Sequence, residues 1–185
     1  LSVPDAVLTT VVHVTGSAYR RPGARMLIMP DGRRIGSISG GCLEGDASRK
    51  AWWFTRSGQP AVRVYDTSSD DDAVWEFGLG CNGIVHVLFE RFQDPSTQEL
   101  LAVIASHRSQ GAALTIATAV GVSPDSSVKL GDRLFWDANG LQGGSLVGTP
   151  LESQLIRHMR DSFVHQRSHL VHLPSCDVFV EWLGA

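Results

Sequence analysis

The sequence predicts an α/β fold, with α+β as the alternative, in which mixed β-sheets pack against helices. Three observations support this prediction: the chain matches itself at an offset of 108 residues, β-branched segments alternate with helical ones, and Asp-Gly and Asn-Gly dipeptides mark hairpin turns. We therefore expect a single domain, 1–185, built from two pseudo-repeated β-hairpin-helix-strand units at about 6–92 and 112–183, with a linking helix at about 95–108.

The self-match joins residues 23–44 to residues 131–152, and eight of these 22 positions are identical. The identical pairs are Gly23/Gly131, Arg25/Arg133, Gly32/Gly140, Gly36/Gly144, Ser37/Ser145, Gly40/Gly148, Leu43/Leu151 and Glu44/Glu152. We interpret this similarity as an internal duplication of one structural unit.

Each unit is expected to contain an opening strand, a hairpin, a helix and a closing strand. The first hairpin turns at Asp31-Gly32 and its counterpart at Asn139-Gly140, because both dipeptides tolerate positive φ. The expected ranges are Ala6–Val14 and Ala113–Val120 for the opening strands, Arg25–Met29 with Arg34–Ile38 for the first hairpin, Cys42–Arg56 and Pro150–His165 for the helices, and Ala61–Tyr65 and His169–Leu173 for the closing strands.

The first unit contains additional segments after this shared set. A polar insertion, Asp66–Gly83, precedes a further strand at Ile84–Phe89. Helix Pro95–His107 then links the units, with Asp94 as its expected N-cap and Gly111 just beyond its end.

Composition limits the classes of function. The chain has 185 residues, 43% of them hydrophobic and 19% charged, with a formal net charge of −3. This balance argues against nucleic-acid binding, and no apolar run is long enough for membrane insertion. Three cysteines do not make a disulfide framework, and no signal peptide is evident, so a reducing, cytoplasmic location is expected.

Two of the three cysteines lie in similar glycine-rich frames, Cys42 in Ser39–Glu44 and Cys81 in Gly78–Gly83. Because Cys42 aligns with Pro150, we place it in the first turn of its helix, where backbone N–H groups and the helix dipole favour a thiolate. Tight packing of small residues would be the non-functional explanation of both frames.

A basic cluster and a pair of glycines accompany Cys42. Gly40 and Gly41 extend the N–H surface at the start of the helix into a possible anion nest, and Arg20 and Arg21 precede the hairpin that leads to it. A solvated loop is the simpler explanation of the arginine pair. Cys176, which has no glycine frame, is expected to be a small buried residue.

Three stretches of the chain closely resemble the XdhC/CoxI family: Arg21–Met26, Gly36–Glu44 and Gly78–Gly83. The segment from Tyr65-Asp66 to the aspartates Asp70, Asp71 and Asp72 resembles it as well, and the similarity continues in order to Glu181. Many members carry a C-terminal Rossmann-like domain, and the sequence stops before one could begin.

The resemblance implies an accessory chaperone, more a maturation factor than an enzyme. Such a protein carries molybdenum cofactor, as molybdopterin or its nucleotide form, assists its sulfuration by a cysteine desulfurase and passes it to a target molybdenum hydroxylase of the xanthine dehydrogenase or carbon monoxide dehydrogenase type. The resemblance also implies a homodimer.

The residues and the resemblance agree on a thiophilic, anionic cargo. We expect Gly40, Gly41 and Arg20 or Arg21 to hold the phosphate end, while Cys42 and Cys81 face the molybdenum. Gly80 and Asn82, on either side of Cys81, belong to the same expected site. Alternatively, Cys42 serves the anion and Cys81 alone serves the metal.

Two other classes of function are compatible with the same residues. The chain could be an interaction module of the maturation machinery without a cofactor site of its own. It could also be a thiol-dependent redox enzyme in which Cys42 acts as nucleophile and Cys81 resolves it as a disulfide.

Overall fold

The computed structural model describes residues 5–66 and 83–185, apart from the side chain of Cys42. The chain forms two compact units, 1–94 and 95–185. The helix expected to link the repeats therefore lies within the second unit. Among the described residues, no helix is both long and apolar enough to cross a bilayer.

The described part of the first unit contains one helix and a five-stranded sheet. Its elements are β1 (Val7–Gly16), β2 (Arg25–Ile28), β3 (Arg34–Gly36), α1 (Cys42–Phe54), β4 (Ala61–Asp66) and β5 (Gly83–Arg91). The strands lie side by side in the order β3-β2-β1-β5-β4. Leu43, Ala47 and Ala51, four residues apart along α1, pack with Val7 and Val11 of β1 in a buried core.

The second unit repeats this arrangement after an additional helix. Its elements are α2 (Pro95–Gln110), β6 (Leu114–Val122), β7 (Arg133–Asp137), β8 (Gly140–Gly143), α3 (Glu152–His165), β9 (His169–His172) and β10 (Cys176–Leu183). The strand order is β8-β7-β6-β10-β9, which is the order of the first unit element by element. The duplication and the combination of helices with sheets are thus confirmed.

The sheets differ from expectation in one respect, because every described strand pairing is antiparallel. In each unit the helix follows an edge strand and returns the chain to the opposite edge of the sheet. The strands before and after the helix run in the same direction but never become neighbours. Mixed sheets are therefore avoided although each unit contains a helical crossover.

Backbone hydrogen bonds show that the repeat extends to fine detail. The pairing register skips Val12 of β1 and Val120 of β6, so both opening strands are bulged at positions 108 residues apart. In each unit, the loop before the second strand makes two backbone hydrogen bonds with the residue that precedes the bulge. These bonds are Val11 N to Ala24 O and Gly23 N to Val11 O in the first unit, and Ala119 N to Asp132 O and Gly131 N to Ala119 O in the second.

The equivalent helices of the two units, α1 and α3, begin differently. Helix α1 starts at Cys42, as the alignment of the repeats predicts, whereas α3 starts at Glu152 and not at Pro150. No side-chain cap forms at this end of α3, and the Thr149 hydroxyl donates to the carbonyl of Leu146 at 2.8 Å. Glu152 instead accepts the N–H of Gly148 at 2.5 Å, so its carboxylate still holds the preceding loop.

Candidate functional site

An open cleft of about 540 Å³ lies at the start of helix α1. We term it the α1 cleft. The loop before β2, the β2–β3 hairpin and the loop between β3 and α1 form its walls. The lining residues are Arg20, Met26, Arg34, Gly36, Ser37, Ser39, Gly40, Gly41 and Glu44.

A buried carboxylate organises the loop that enters α1. Glu44, in the first turn of the helix, is only 6% exposed. Its Oε1 accepts the N–H of Ser39 at 2.8 Å, the N–H of Ile38 at 3.2 Å and the hydroxyl of Ser37 at 2.9 Å. Its Oε2 accepts the hydroxyl of Ser39. Glu44 thereby fixes the whole segment from Ser37 to the helix.

These hydrogen bonds determine the charge of Glu44. Burial by itself would raise the pKa of this carboxyl, but the bonds from Ser39 and Ser37 outweigh burial and hold the pKa below its usual value. Glu44 is therefore ionised at neutral pH. Its negative charge is placed at the positive end of the α1 dipole, where it is favourable.

The backbone donors at the start of α1 are partly used within the loop. The Ser39 hydroxyl oxygen accepts the N–H of Gly41 at 3.1 Å and that of Leu43 at 3.2 Å. Gly41 adopts a left-handed conformation, with φ of 119°, that glycine tolerates. The Gly41 amide, which the sequence analysis assigned to an anion nest, thus donates to Ser39.

Gly40 has a close aromatic neighbour. A Cβ at this position would lie 2.8 Å from Cδ2 of Tyr19, so a larger residue would require the tyrosine ring to move. The tyrosine is 64% exposed. Gly40 therefore joins the loop before β2 to the loop before α1, and these are two walls of the α1 cleft.

The predicted site residues are brought together only in part. Arg20, Gly40 and Gly41 line the α1 cleft, whereas Arg21 is exposed and is not among the lining residues. Cys42 is the first residue of α1 and directly follows Gly41. The remaining candidates lie outside the described residues: Gly80, Cys81, Asn82 and the aspartates Asp70, Asp71 and Asp72.

Sequence reasoning missed Arg34 and the network of Ser37, Ser39 and Glu44. Arg34 lies on β3 and lines the cleft. The sequence contained a signal for Arg34, because the equivalent position of the second unit is occupied by the uncharged Gln142. The positive charge is therefore specific to the first unit. Arg25, by contrast, has a structural role, because its Nη1 donates to the carbonyl of Gly23 at 3.1 Å and Arg133 repeats this bond to Gly131 at 2.8 Å.

A smaller hollow of about 290 Å³ lies between α1 and the end of β4. Tyr65 and Asp66 line it together with Asp46, whose carboxylate pairs with Lys50 at 2.8 Å. Burial, and then the negative charge of Asp46, raise the pKa of the Tyr65 phenol, which therefore stays neutral at physiological pH.

Four histidines lie on α3 and β9, and each contacts either another histidine or a carboxylate. The rings of His158 and His169 are 5.9 Å apart, while His165 and His172 contact the carboxylates of Asp161 and Asp177. Among residues 5–66 and 83–185, no group of three or more metal-ligating side chains converges.

Cys176 is buried in the core of the second unit at 4% exposure, as the sequence predicts, and burial raises the pKa of its thiol. In a variant carrying Cys42→Ser and Cys81→Ser, we expect this remaining thiol to react with iodoacetamide at least about tenfold more slowly in the native than in the unfolded protein. Mass spectrometry of timed samples gives the two rates, and equal rates would contradict the burial of Cys176.

Comparison with known proteins identifies relatives. Residues 4–66 match the XdhC and CoxI family. A Bacillus subtilis protein described as a probable xanthine dehydrogenase subunit is 48% identical over 87 residues, which are 47% of this chain and 26% of the relative. The molybdenum cofactor insertion chaperone PaoD of Escherichia coli is 35% identical over 105 residues, which are 56% of this chain and 31% of that protein.

A solved structure supports the same relationship over nearly the whole chain. A crystal structure described as a xanthine dehydrogenase of Bacillus halodurans is similar over 98% of this chain, with a TM-score of 0.70 and 31% identity. The similar region is 49% of that protein, so the chain spans about half its length and less of the other two relatives. Residues 4–66, which include every residue that lines the α1 cleft, belong to the XdhC and CoxI family.

Proposed function

We propose that the protein is an accessory chaperone that binds molybdenum cofactor as cargo and delivers it to a molybdenum hydroxylase of the xanthine dehydrogenase or carbon monoxide dehydrogenase type. The observation that carries this proposal is the α1 cleft, in which Arg20 and the Gly40-Gly41 loop adjoin the first residue of a helix, Cys42. The 35% identity to a molybdenum cofactor insertion chaperone supports the same class of function.

The chemistry of the cleft matches one end of this cargo. Molybdenum cofactor ends in a phosphate, or in a pyrophosphate in its nucleotide form, and a guanidinium binds such groups through a planar fork of donors. Arg20 supplies that fork at the cleft, with Gly40 beside it, and Arg21 follows in the same loop. We assign the phosphate end of the cargo to this surface.

The metal end of the cargo is assigned to the thiols. Thiolates are ligands for soft, thiophilic metals, and we assign one of them to Cys42, the first residue of α1. Cys81, with Gly80 and Asn82 beside it, precedes Gly83 by two residues. A Cβ at Gly83 would overlap the carbonyl oxygen of Ser17, so β5 begins against the loop that leads to Arg20.

The proposal extends to the maturation steps around the cargo. A cysteine desulfurase would supply sulfur while the cofactor is held by this chain, and the apo form of the hydroxylase would then receive it. A homodimer would present two α1 clefts to these partners.

The proposal is tested on protein purified from a host that synthesises molybdenum cofactor. We expect near-stoichiometric molybdenum by mass spectrometry and pterin by fluorescence after oxidation, with at least about tenfold less in Cys42→Ala and in Cys81→Ala because each removes a thiolate ligand. Cys176→Ala is the matched control, since this thiol is buried in the core of the second unit.

Three outcomes distinguish the alternatives. Loss of molybdenum in both variants supports a shared ligand. Loss of metal in Cys81→Ala, with metal retained and pterin weakened in Cys42→Ala, would assign Cys42 to the anion. Wild-type protein that stays empty after incubation with free cofactor would refute the proposed function.

A further inference from the structure

The α1 cleft carries a second arginine, Arg34, which lies outside the stretches that resemble the XdhC/CoxI family. Arg34 lies on β3, and its neighbour Arg33 donates instead to the carboxylate of Asp31 at 2.6 Å. Arg34 lines the cleft together with Arg20, which comes from the loop before β2. Two arginines from different elements therefore line one cavity.

The charges of the cleft favour an anion. Among the described residues that line it, Glu44 alone carries a carboxylate, so the two arginines leave an excess of one positive charge. The carboxylate oxygens of Glu44 are occupied by Ser37, Ser39 and the N–H of Ile38. Because the amides of Gly41 and Leu43 are directed to the Ser39 hydroxyl, binding of an anion falls mainly to the arginine side chains.

The second unit provides an internal comparison for these residues. The positions equivalent to Arg20 and Arg34, offset by 108 residues, are occupied by Val128 and Gln142. Val128 is buried in the core of its unit, so the duplicated fold forms without either positive charge. Gly144, Ser145 and Glu152 nevertheless retain the scaffold residues Gly36, Ser37 and Glu44. The fold therefore does not require the two arginines.

We propose that Arg20 and Arg34 form a two-arginine clamp for the phosphate or pyrophosphate group of the cargo, with Arg34 as the second cation. This inference rests on the proposed function for the identity of the cargo, but the clamp itself is a property of the cleft. Two guanidinium forks hold two phosphoryl groups better than one, because each fork makes its own bidentate, charge-assisted contact. Pyrophosphate should accordingly bind more tightly than phosphate.

The test uses cofactor-free protein of the full chain and isothermal titration calorimetry with inorganic pyrophosphate and inorganic phosphate. We expect Arg34→Gln and Arg20→Gln each to weaken pyrophosphate binding at least about tenfold, which corresponds to the loss of one charge-assisted contact. The matched control is Arg33→Gln on the same hairpin, because Arg33 pairs with Asp31 and does not line the cleft. The affinity of Arg33→Gln for pyrophosphate should stay within about twofold of that of the wild type.

Folding does not obscure the result, since glutamine is the residue that the second unit carries at the position equivalent to Arg34. Wild-type affinity in Arg34→Gln, or equal weakening in Arg33→Gln, would overturn the clamp, as would failure of the wild type to bind pyrophosphate. The proposed function is judged separately by cofactor retention. Pyrophosphate binding that depends on Arg34 in a protein that never retains cofactor would refute the proposed function and leave the clamp intact.

Discussion

Replacing Glu44 with glutamine is expected to lower the free energy of unfolding by about 3 kcal/mol, because it removes a buried charge that accepts four hydrogen bonds. The glutamine amide can accept at one atom only, and its NH2 group would face donors. Chemical denaturation followed by tryptophan fluorescence measures the change. The matched control is Glu152→Gln in the second unit, whose carboxylate accepts one N–H from Gly148 and should cost about 1 kcal/mol or less.

The same residue gives the stability a dependence on pH. The pKa of Glu44 is lowered on folding from its ordinary value of 4.5, so its contribution is fully present above about pH 4.5 and is lost as the pH falls through the folded-state pKa. We expect the difference in stability between wild type and Glu44→Gln to shrink below that pH. A difference that is constant from about pH 7 to about pH 3 would contradict the assignment of an ionised, hydrogen-bonded carboxylate.

Gly36→Ala is expected to destabilise the first unit by about 3 kcal/mol or more, and to weaken pyrophosphate binding at the α1 cleft as well. Gly36 has φ of 89°, and a Cβ there would overlap the carbonyl oxygen of Arg25 on the neighbouring strand. The neighbouring backbone cannot retreat without breaking the pairing of β2 with β3. Denaturation curves and calorimetric titration measure the two effects.

The matched control for this prediction is Gly32→Ala in the turn of the same hairpin. Gly32 has φ of 83°, but a Cβ added there would have no atom within 4 Å, so only backbone strain of about 1 kcal/mol is expected. Gly144→Ala should resemble Gly36→Ala, because its Cβ would overlap the carbonyl oxygen of Arg133 in the second unit. Equal stabilities of Gly32→Ala and Gly36→Ala would show that the close approach is not responsible.

The elements and their order could be predicted because their signals are local. Asp31-Gly32 and Asn139-Gly140 mark turns wherever they occur, and β-branched runs favour strands irrespective of their neighbours. The alignment of Cys42 with Pro150 placed the start of α1 correctly. The start of α3 was predicted from its local sequence at Pro150, which is two residues too early, and the Thr149 hydroxyl bonds to Leu146 and not to the helix.

Sequence alone thus determined that the chain is a duplicated α and β unit, with Arg20, Gly40 and Gly41 leading to the helix of Cys42. Tertiary structure decided that all described strands pair antiparallel, because strand neighbours depend on where each helix returns the chain to the sheet. It also decided that Arg34 joins Arg20 at one cleft and that Glu44 fixes the loop there. Such convergence depends on distances across elements, which no local pattern specifies.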